Sequence, residues 1–442
     1  MIKTKACLVA ICFLLAIFVA ALMAPAAEQP YKVSPKVQDT FGKIIAQPAI
    51  KKGLDFIKAD HDNTITEQKQ INIIPAPPFK EDKRSADYFK RLSALGLKDM
   101  KADSIGNVCG IWPGTGKGPK LLVAAHLDTV FPEGTDVTVK EINGILHAPG
   151  ISDNTAGLAA QLSVIRALKA SGIKTTGDIM FCGNVGEEGL GDLRGVKAIF
   201  RDHKDIDGSI HWDYADVTGV HYSAVGSHRY EITYKGPGGH SFSAFGRPSA
   251  IHALGRAIAK IADLKTPENP KTTFTVGVVK GGTSINAIAG EASLLMDMRS
   301  GSDKELLAVE AKFLQIVKQA AAEENARWGS DQIKVEIKPV GNRPAGSQPS
   351  DAPIVQASWI SAELIGVKPK LMDASSTDMN LPISLGIPAV TLGSGGKEAN
   401  NHALTEWFDP TDSYQGPQRV FLTVLGLAGI DGVTEPLLPK KR

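Results

Sequence analysis

The chain has 442 residues, of which 43% are hydrophobic, 22% charged and 6% aromatic, and its 49 basic and 47 acidic residues leave a formal charge of +2. This length exceeds the roughly 250 to 300 residues at which a single core stops growing, so we expect more than one domain. The composition excludes a disordered or collagen-like chain, and the near-zero charge argues against a nucleic-acid partner.

The amino-terminal segment has the pattern of an export signal. Lys3 and Lys5 precede an apolar run over 6–23, and the small residues at 24–26 fit the site that a signal peptidase cleaves. We predict a signal peptide over residues 1–26, cleaved after Ala26, and a secreted or periplasmic protein. The alternative is an uncleaved membrane anchor, because spans of roughly 17 to 25 residues cross the bilayer core.

Strand and helix patterns alternate after this segment. Continuous apolar runs at Lys120–His126 and Asp178–Asn184 predict strands buried on both faces, and the residues at 155–169 between them have helical apolar spacing. Short runs at 209–212 and 388–392 predict further strands. We expect an α/β fold with a mainly parallel sheet, in which sites form at the carboxyl ends of the strands.

The middle of the chain has a different order of elements. The patterns predict a strand, a helix, two strands, a long helix and a strand, at 229–235, 251–261, 274–280, 292–299, 303–326 and 332–340. This βαββαβ order is typical of a small ferredoxin-like α+β domain. We therefore predict an inserted domain at 227–342 between the two parts of the first domain, 27–226 and 343–442.

Two cysteines, Cys109 and Cys182, lie beyond the amino-terminal segment. Each is in an apolar stretch, and buried free cysteines are common. We expect the two thiols to be unpaired. A disulfide is the alternative, because an exported protein meets an oxidising environment.

Potential metal ligands lie next to the predicted strands and helix. In chain order they are His126 and Asp128, Asp153, Glu187 and Glu188, Asp213 and His402. Taken singly, each has an ordinary alternative, such as a loop histidine, a helix N-cap or a solvated carboxylate. Taken together, they lie where a parallel sheet brings strand ends to one edge.

The set has the composition of a site for two metal ions. Two histidines and three carboxylates suit zinc, with cobalt or manganese as alternatives. Two adjacent carboxylates such as Glu187 and Glu188 repel each other unless a cation holds them. With Glu188 as a ligand, Glu187 is left for proton transfer.

Six stretches resemble, as an ordered set, the co-catalytic zinc peptidase family that includes carboxypeptidase G, peptidase T and aminoacylase. They are AAHLDTV (124–130), APGISDNTAGLAA (148–160), GNVGEEGLGD (183–192), GPGGHSF (236–242), TSINAIAGEASLLMDMRS (283–300) and the stretch from SSTDMN to NNHA (375–403). The resemblance covers most of the chain after about residue 45. The residues at 147–155 depart from carboxypeptidase-like members and are more similar to the peptidase T side.

The resemblance implies a role for each predicted ligand. Asp153 would bridge two metal ions, and the peptide bond between Asp153 and Asn154 would be cis. The other implied roles are His126 and Asp213 at one metal, Glu188 and His402 at the other, Glu187 as the general base and Asp128 as the residue that orients His126.

The resemblance also assigns the inserted domain as a lid and dimerisation domain. His240 would reach the active site across a homodimer and hydrogen-bond the developing oxyanion. Asn286 and Arg299 would bind substrate, with Arg299 holding a carboxylate. For Arg299, an ion pair with Asp297 on the same strand is the structural alternative.

The function we expect is hydrolysis of the amide bonds of small peptides, such as di- or tripeptides, by a secreted exopeptidase with two metal ions. An N-acyl amino acid hydrolase, or another small amide hydrolase of the same family, is the alternative within enzymes. A non-catalytic binding protein would have lost a ligand or the base, and the sequence retains them all.

Overall fold

The computed structural model describes residues 31–440, so the predicted export signal at 1–26 lies outside the described residues. The described helices, in chain order, are α1 (Pro35–Ile45), α2 (Pro48–Ala59), α3 (His61–Asn72), α4 (Asp82–Ala94), α5 (Thr155–Ser171), α6 (Arg194–Asp202), α7 (Ala250–Ala262), α8 (Asp303–Arg327), α9 (Pro353–Leu364), α10 (Asn380–Ser384) and α11 (Gln415–Ala428).

The first strands in chain order are β1 (Lys98–Ala102), β2 (Val108–Trp112), β3 (Lys120–His126), β4 (Lys140–Ile142), β5 (Ile145–His147), β6 (Asp178–Asn184), β7 (Gly208–Trp212), β8 (Gly219–His221), β9 (Ser223–Ala224) and β10 (Gly226–Lys235). They are followed by β11 (Gly239–His240), β12 (Thr272–Gly281), β13 (Ala287–Ile288), β14 (Glu291–Ser300), β15 (Lys334–Arg343), β16 (Gly346–Ser347), β17 (Lys370–Leu371), β18 (Ala389–Leu392), β19 (Lys397–Ala399) and β20 (Trp407–Asp409).

An eight-stranded sheet in the order β1-β2-β6-β3-β7-β18-β8-β17 is the scaffold of the fold. The neighbours β6, β3, β7 and β18 are parallel, whereas β1 with β2, β2 with β6, and β8 with β18 are antiparallel. This arrangement confirms the α/β prediction and its mainly parallel sheet.

Helices cover both faces of the parallel centre. From one face of β3, Leu122 and Ala124 pack with Val196 and Ile199 of α6, and α5 and α11 contact the strand as well. Because both faces are covered, β3 is buried from Leu121 onward, which explains its continuous apolar run.

The helix α5 leads from the metal-ligand region into the core. It is buried on almost its whole surface, and it ends where Gly172 adopts a left-handed conformation with φ of 71°. Because α5 packs between the sheet and the helices α2 and α3, the turn at its amino end has a fixed position beside the carboxyl end of β3.

A second sheet, antiparallel throughout, has the order β12-β14-β10-β15. The helices α7 and α8 pack on one of its faces and share a hydrophobic core with it. The long helix α8 begins after Ser302, whose side chain accepts a hydrogen bond from the Glu305 N–H. The observed order β10-α7-β12-β14-α8-β15 is the predicted βαββαβ order, apart from the short strands β11 and β13. We call this unit of sheet and helices, residues 226–343, the lid.

The expectation that the two cysteines are unpaired is wrong. Cys109 of β2 and Cys182 of β6 are direct cross-strand partners and form a disulfide. Local apolar context could not show this, because the pairing depends on the register between strands that are far apart in sequence.

The helices α1 to α4, at Pro35–Ala94, and the strands β1 and β2 were not predicted from sequence. Among residues 31–440, no helix combines the length and apolar character needed to cross a membrane.

Candidate metal centre

The predicted ligands meet at one edge of the eight-stranded sheet. His126 is the last residue of β3, and Glu187, Glu188 and Asp213 come shortly after the carboxyl ends of β6 and β7. Asp153 lies in the turn before α5, and His402 lies in the loop between β19 and β20. Because β3, β6 and β7 are parallel, their ends bring side chains that are distant in sequence to the same edge.

Two triads of these side chains share Asp153. Ligand atoms of His126, Asp153 and Asp213 lie within 4.8 Å of one another, as do those of Asp153, Glu188 and His402. One oxygen of Asp153 is 3.0 Å from His126 Nε2, and the other is 3.1 Å from His402 Nε2. The Glu188 carboxylate lies 2.9 Å from the same His402 nitrogen. Asp153 therefore has the position of a bridging ligand, and its peptide bond to Asn154 is cis.

Two buried atoms of the first triad are better placed to bind a metal ion than to hydrogen-bond to each other. His126 Nε2 and Asp153 Oδ1 are close, yet neither makes a directed hydrogen bond with any described residue. Buried polar atoms are nearly always hydrogen-bonded. Nitrogen and oxygen atoms that converge in this way, with carboxylates from other strands, are a suitable donor set for zinc.

The carboxylates and histidines of the cluster shift one another's pKa values. Burial and the nearby charge of Asp153 raise the pKa of Glu188 to about 8, and the same two causes raise the pKa of Asp213 well above its usual value. Asp153 and then Glu188 raise the pKa of His402 to about 11. Burial would raise the pKa of Asp153, but His126 and His402 outweigh it and lower that pKa. Divalent cations would relieve this crowding of carboxylates.

Asp128 supports two parts of the cluster. Its main-chain carbonyl lies 3.0 Å from His126 Nδ1, whereas its carboxylate is 3.7 Å from that nitrogen. The carboxylate accepts hydrogen bonds from the N–H groups of Glu187 and Glu188, at 3.1 and 2.8 Å. His126 is thus oriented through the main chain of Asp128, and the side chain of Asp128 fixes the two glutamates.

Glu187 faces an arginine that sequence reasoning missed. Arg343, the last residue of β15, lies 2.8 Å from Glu187 Oε1 through Nη1 and donates through Nη2 to the Glu187 carbonyl. Both side chains are buried. No local motif could reveal this contact across 156 positions of sequence, although Arg343 follows closely after the strand predicted at 332–340, and that position was a signal.

Glu406, also missed, holds the turn that carries Asp153. Its buried carboxylate accepts hydrogen bonds from the N–H groups of Gly150, Ser152 and Asp153, at 2.8, 2.9 and 3.1 Å. The neighbouring Glu398 contacts Ser152 Oγ and accepts from Asn401, the residue before His402. The two glutamates thus tie the Asp153 turn to the loop of His402.

A cavity of about 270 Å³ opens onto the ligands. Its wall from the lid includes Arg229, Arg299 and Arg343. The ion pair predicted as an alternative for Arg299 is present, with 2.7 Å between Arg299 Nε and Asp297 Oδ2. Arg299 nevertheless lines the cavity, and its contact with Asp297 is made through Nε rather than through a terminal nitrogen.

His240 and Asn286 lie together in the lid but line a different cavity. The short strands β11 and β13 pair, and the Ser241 N–H donates to the Asn286 carbonyl at 2.9 Å. Both side chains line a separate, glycine-rich cavity of about 820 Å³. His240 Nδ1 accepts from the N–H groups of Phe242 and Ser243, at 3.2 and 3.3 Å, so the ring proton of neutral His240 is on Nε2.

The chain belongs to peptidase family M20/M25/M40, whose model matches residues 122–425. The match includes every predicted ligand and the lid.

Solved structures share the fold. Aminopeptidase PepT from Bacillus cereus ATCC 10987 is 23% identical, with a TM-score of 0.67 over 82% of this chain and 98% of that one. The YxeP protein of Bacillus subtilis, described as a dinuclear metal-binding peptidase of the M20 family, is 17% identical, with a TM-score of 0.61 over 83% of this chain and 99% of that one.

Curated relatives match shorter regions. Succinyl-diaminopimelate desuccinylase 2 from Alteromonas mediterranea is 27% identical over 232 residues, which are 48% of this chain and 61% of the relative. The chain spans about half the length of the curated relatives it matches.

Proposed function

We propose that this protein is a metal-dependent hydrolase of amide bonds in small peptides and acts as an exopeptidase. The observation that carries the proposal is the sharing of Asp153 by two ligand triads, with Glu187 beside them. The first triad, His126 with Asp213, would hold one divalent ion, and Glu188 with His402 would hold the other. Zinc is the ion we propose.

In this mechanism the two ions, when bound, polarise the scissile carbonyl and lower the pKa of a water molecule. Glu187 takes the proton of the attacking water and delivers it to the leaving nitrogen. Arg343 holds the Glu187 side chain against the cavity wall. Arg299 binds a substrate carboxylate through its terminal nitrogens, and His240 donates from Nε2 to the developing oxyanion.

Replacing Glu187 with Gln tests the assignment of the base. Gln keeps the shape of the side chain but cannot accept the proton, so we expect kcat to fall at least about 100-fold while two metal ions still bind. The measurement is turnover of a panel of di- and tripeptides by metal-loaded protein, with bound metal determined on the same sample. Glu336→Gln, at an exposed ion pair with Lys235, is the matched control. Unchanged activity of Glu187→Gln contradicts the proposal.

The second candidate is hydrolysis of N-acyl amino acids, favoured by the similarity to a desuccinylase. The same panel, extended with N-acetyl and N-succinyl amino acids, separates the two. Cleavage of the N-acylated compounds alone supports this candidate over the peptidase. No turnover of any compound by protein that holds two ions supports the remote third reading, a non-catalytic binding protein on this fold.

We propose that the protein is a homodimer through the lid. His240 and Asn286 line a different cavity from that of the metal ligands, and we propose that they act in the active site of a second copy of the chain. The lid also has an edge strand, β12, with exposed Val278 and Val279. An edge strand offers unpaired main-chain groups to a second copy.

We propose that the chain is exported and cleaved after Ala26. The basic and apolar pattern of residues 1–26 supports this, and so does the disulfide between Cys109 and Cys182, because disulfides persist in oxidising compartments. The mass of the protein recovered from the extracytoplasmic fraction tests the proposal. Recovery of the uncleaved chain from membranes supports the anchor instead.

A further inference from the structure

One face of helix α4 contacts the segments that carry the candidate metal ligands. The face consists of Arg84 and Tyr88 of the helix and of Glu81, the residue before it, which are three and four positions apart and therefore lie on the same side. All three side chains are buried. The helix lies outside residues 122–425, which match the family model, so that match does not describe these contacts.

Arg84 directs its guanidinium group at three main-chain carbonyls. Its Nε donates to Ile74 at 2.9 Å, its Nη1 to Leu127 at 2.8 Å and its Nη2 to Asn72 at 3.3 Å. A guanidinium group is planar and presents its donors in fixed directions. The buried Arg84 side chain therefore holds the end of α3 and the end of β3 in a fixed relation.

Leu127 is the acceptor that connects Arg84 to the metal centre, because it lies between His126 and Asp128. Its N–H donates to the carbonyl of Asn184 at 2.6 Å, which continues the pairing of β3 with β6. Its carbonyl accepts from Arg84 on the side of α4. Both peptide units of Leu127 are thus fixed, and they set the directions in which the His126 and Asp128 side chains leave the main chain.

Tyr88 contacts two further segments of the centre. Its hydroxyl donates to the carbonyl of Leu158, in the first turn of α5, at 2.9 Å. Its ring lies on Gly183 of β6, where an added Cβ would be 2.6 Å from a ring carbon and 3.2 Å from the Leu127 side chain. The absence of a side chain at Gly183 therefore lets α4 approach β6 and the end of β3 at the same point.

Glu81 reaches the segment of the two glutamates. Its carboxylate accepts from Arg194 Nη2 at 2.6 Å, and the Arg194 N–H donates to the carbonyl of Gly186 at 3.2 Å. Gly186 directly precedes Glu187 and Glu188. The face of α4 thus contacts or holds the ends of β3 and β6 and the start of α5, which all adjoin candidate ligands.

We propose that α4 stabilises the geometry of the metal centre and that Arg84 is a positioning residue for it. Arg84 contacts neither a metal ion nor the substrate. It acts through the Leu127 main chain, which keeps His126 directed at the first ion and keeps the Asp128 carboxylate on the N–H groups of the two glutamates. The inference rests on the proposed function, because it concerns the same centre, and it extends that centre to a helix outside the family match.

Replacing Arg84 with Met tests the positioning role. Met keeps an unbranched side chain and removes the charge and all the donors, so three carbonyls lose a hydrogen bond. We expect the affinity for zinc to fall about 10- to 100-fold, the range typical of residues that orient ligands, and the visible absorption spectrum of the cobalt-loaded protein to change. Calorimetric titration and absorption spectroscopy measure both effects without any substrate.

Arg419→Met is the matched control for the loss of a buried guanidinium group. Arg419 is as deeply buried as Arg84 and also donates to three main-chain carbonyls, those of Ser358, Val217 and Gly219, none of which adjoins a candidate ligand. We expect both Met variants to unfold at a lower temperature, but Arg419→Met to keep the wild-type zinc affinity and cobalt spectrum. An equal loss of zinc affinity in the two variants would mean that affinity follows stability, and it would overturn the inference.

Arg84→Lys serves if the Met variant does not fold. It keeps the buried charge, but a single ammonium group cannot replace the planar fork, so we expect zinc affinity at least about 3-fold below that of wild type. Wild-type affinity together with a wild-type cobalt spectrum in either folded variant overturns this inference alone. If the wild-type protein binds no zinc, the proposed function fails and this inference fails with it.

Discussion

At the scale of single residues, the carboxylates of the centre differ in what surrounds them. Asp153 contacts two histidines, Glu188 contacts one, and Glu187 contacts an arginine instead. The same chemical group can therefore serve as a bridge, a terminal ligand or a base. The positions of these residues after predicted strands or before a predicted helix indicated that they form one site, but the sequence near Glu187 does not contain its partner Arg343.

Glu406 is the residue whose replacement most directly tests the support of Asp153. In Glu406→Gln, an amide NH₂ takes the place of one oxygen that accepts from the Asp153 turn, so at least one main-chain N–H loses its acceptor. We expect the affinity for zinc to fall about 10- to 100-fold, the range typical of residues that orient ligands.

Calorimetric titration with zinc measures this change, and the visible absorption spectrum of the cobalt-loaded protein reports the ligand geometry. Glu363→Gln is the matched control, because its carboxylate is exposed and contacts Trp359 on the same helix. Wild-type affinity together with a wild-type cobalt spectrum in Glu406→Gln would show that Glu406 does not position the centre.

At the scale of elements, strands buried on both faces were the most predictable. The predicted bounds of β3 and β6 match the structure, because a strand covered on both faces is a continuous apolar run. The order of the lid elements followed from alternation and helical spacing. The disulfide and the ion pairs of Arg229 with Asp297 and of Arg343 with Glu187 depend on which segments become neighbours, and periodicity within one strand does not contain that information.

The lid loop of His240 gives a prediction about two chains. If His240 acts across a dimer, then His240→Ala and Glu187→Gln damage different parts of each composite site. In an equal mixture of the two inactive variants, half of the dimers are mixed and each has one intact site. We expect recovery of about a quarter of wild-type activity.

The measurement is peptide hydrolysis after the two variants have been dissociated together and reassociated, with the mass in solution determined by light scattering. Each variant treated in the same way alone is the control. If the mixture is no more active than the two variants treated alone, His240 does not act across a dimer.

At the scale of the whole molecule, the centre depends on both sheets. The eight-stranded sheet brings the candidate metal ligands to one edge, and the lid contributes Arg229, Arg299 and Arg343 to the lining of the same cavity. The sequence placed most of the candidate ligands beside a predicted strand or helix, and the structure brings all of them close together. The contacts of Arg229, Arg343 and Glu406 could not be predicted from the sequence, because each joins segments whose proximity is determined by the complete fold.

The central claim is that Asp153 joins two metal sites into one centre. The direct test compares wild type, Asp153→Asn and the exposed control Asp205→Asn. For each protein, the metal content is measured after gel filtration and the affinity for zinc by calorimetric titration. We expect two zinc ions per chain in wild type and in the control, and weakened binding at both sites in Asp153→Asn, because Asn lacks the negative charge and one of the two oxygens that the triads share through Asp153. A single ion in wild type, or two ions held with unchanged affinity in Asp153→Asn, would contradict the account.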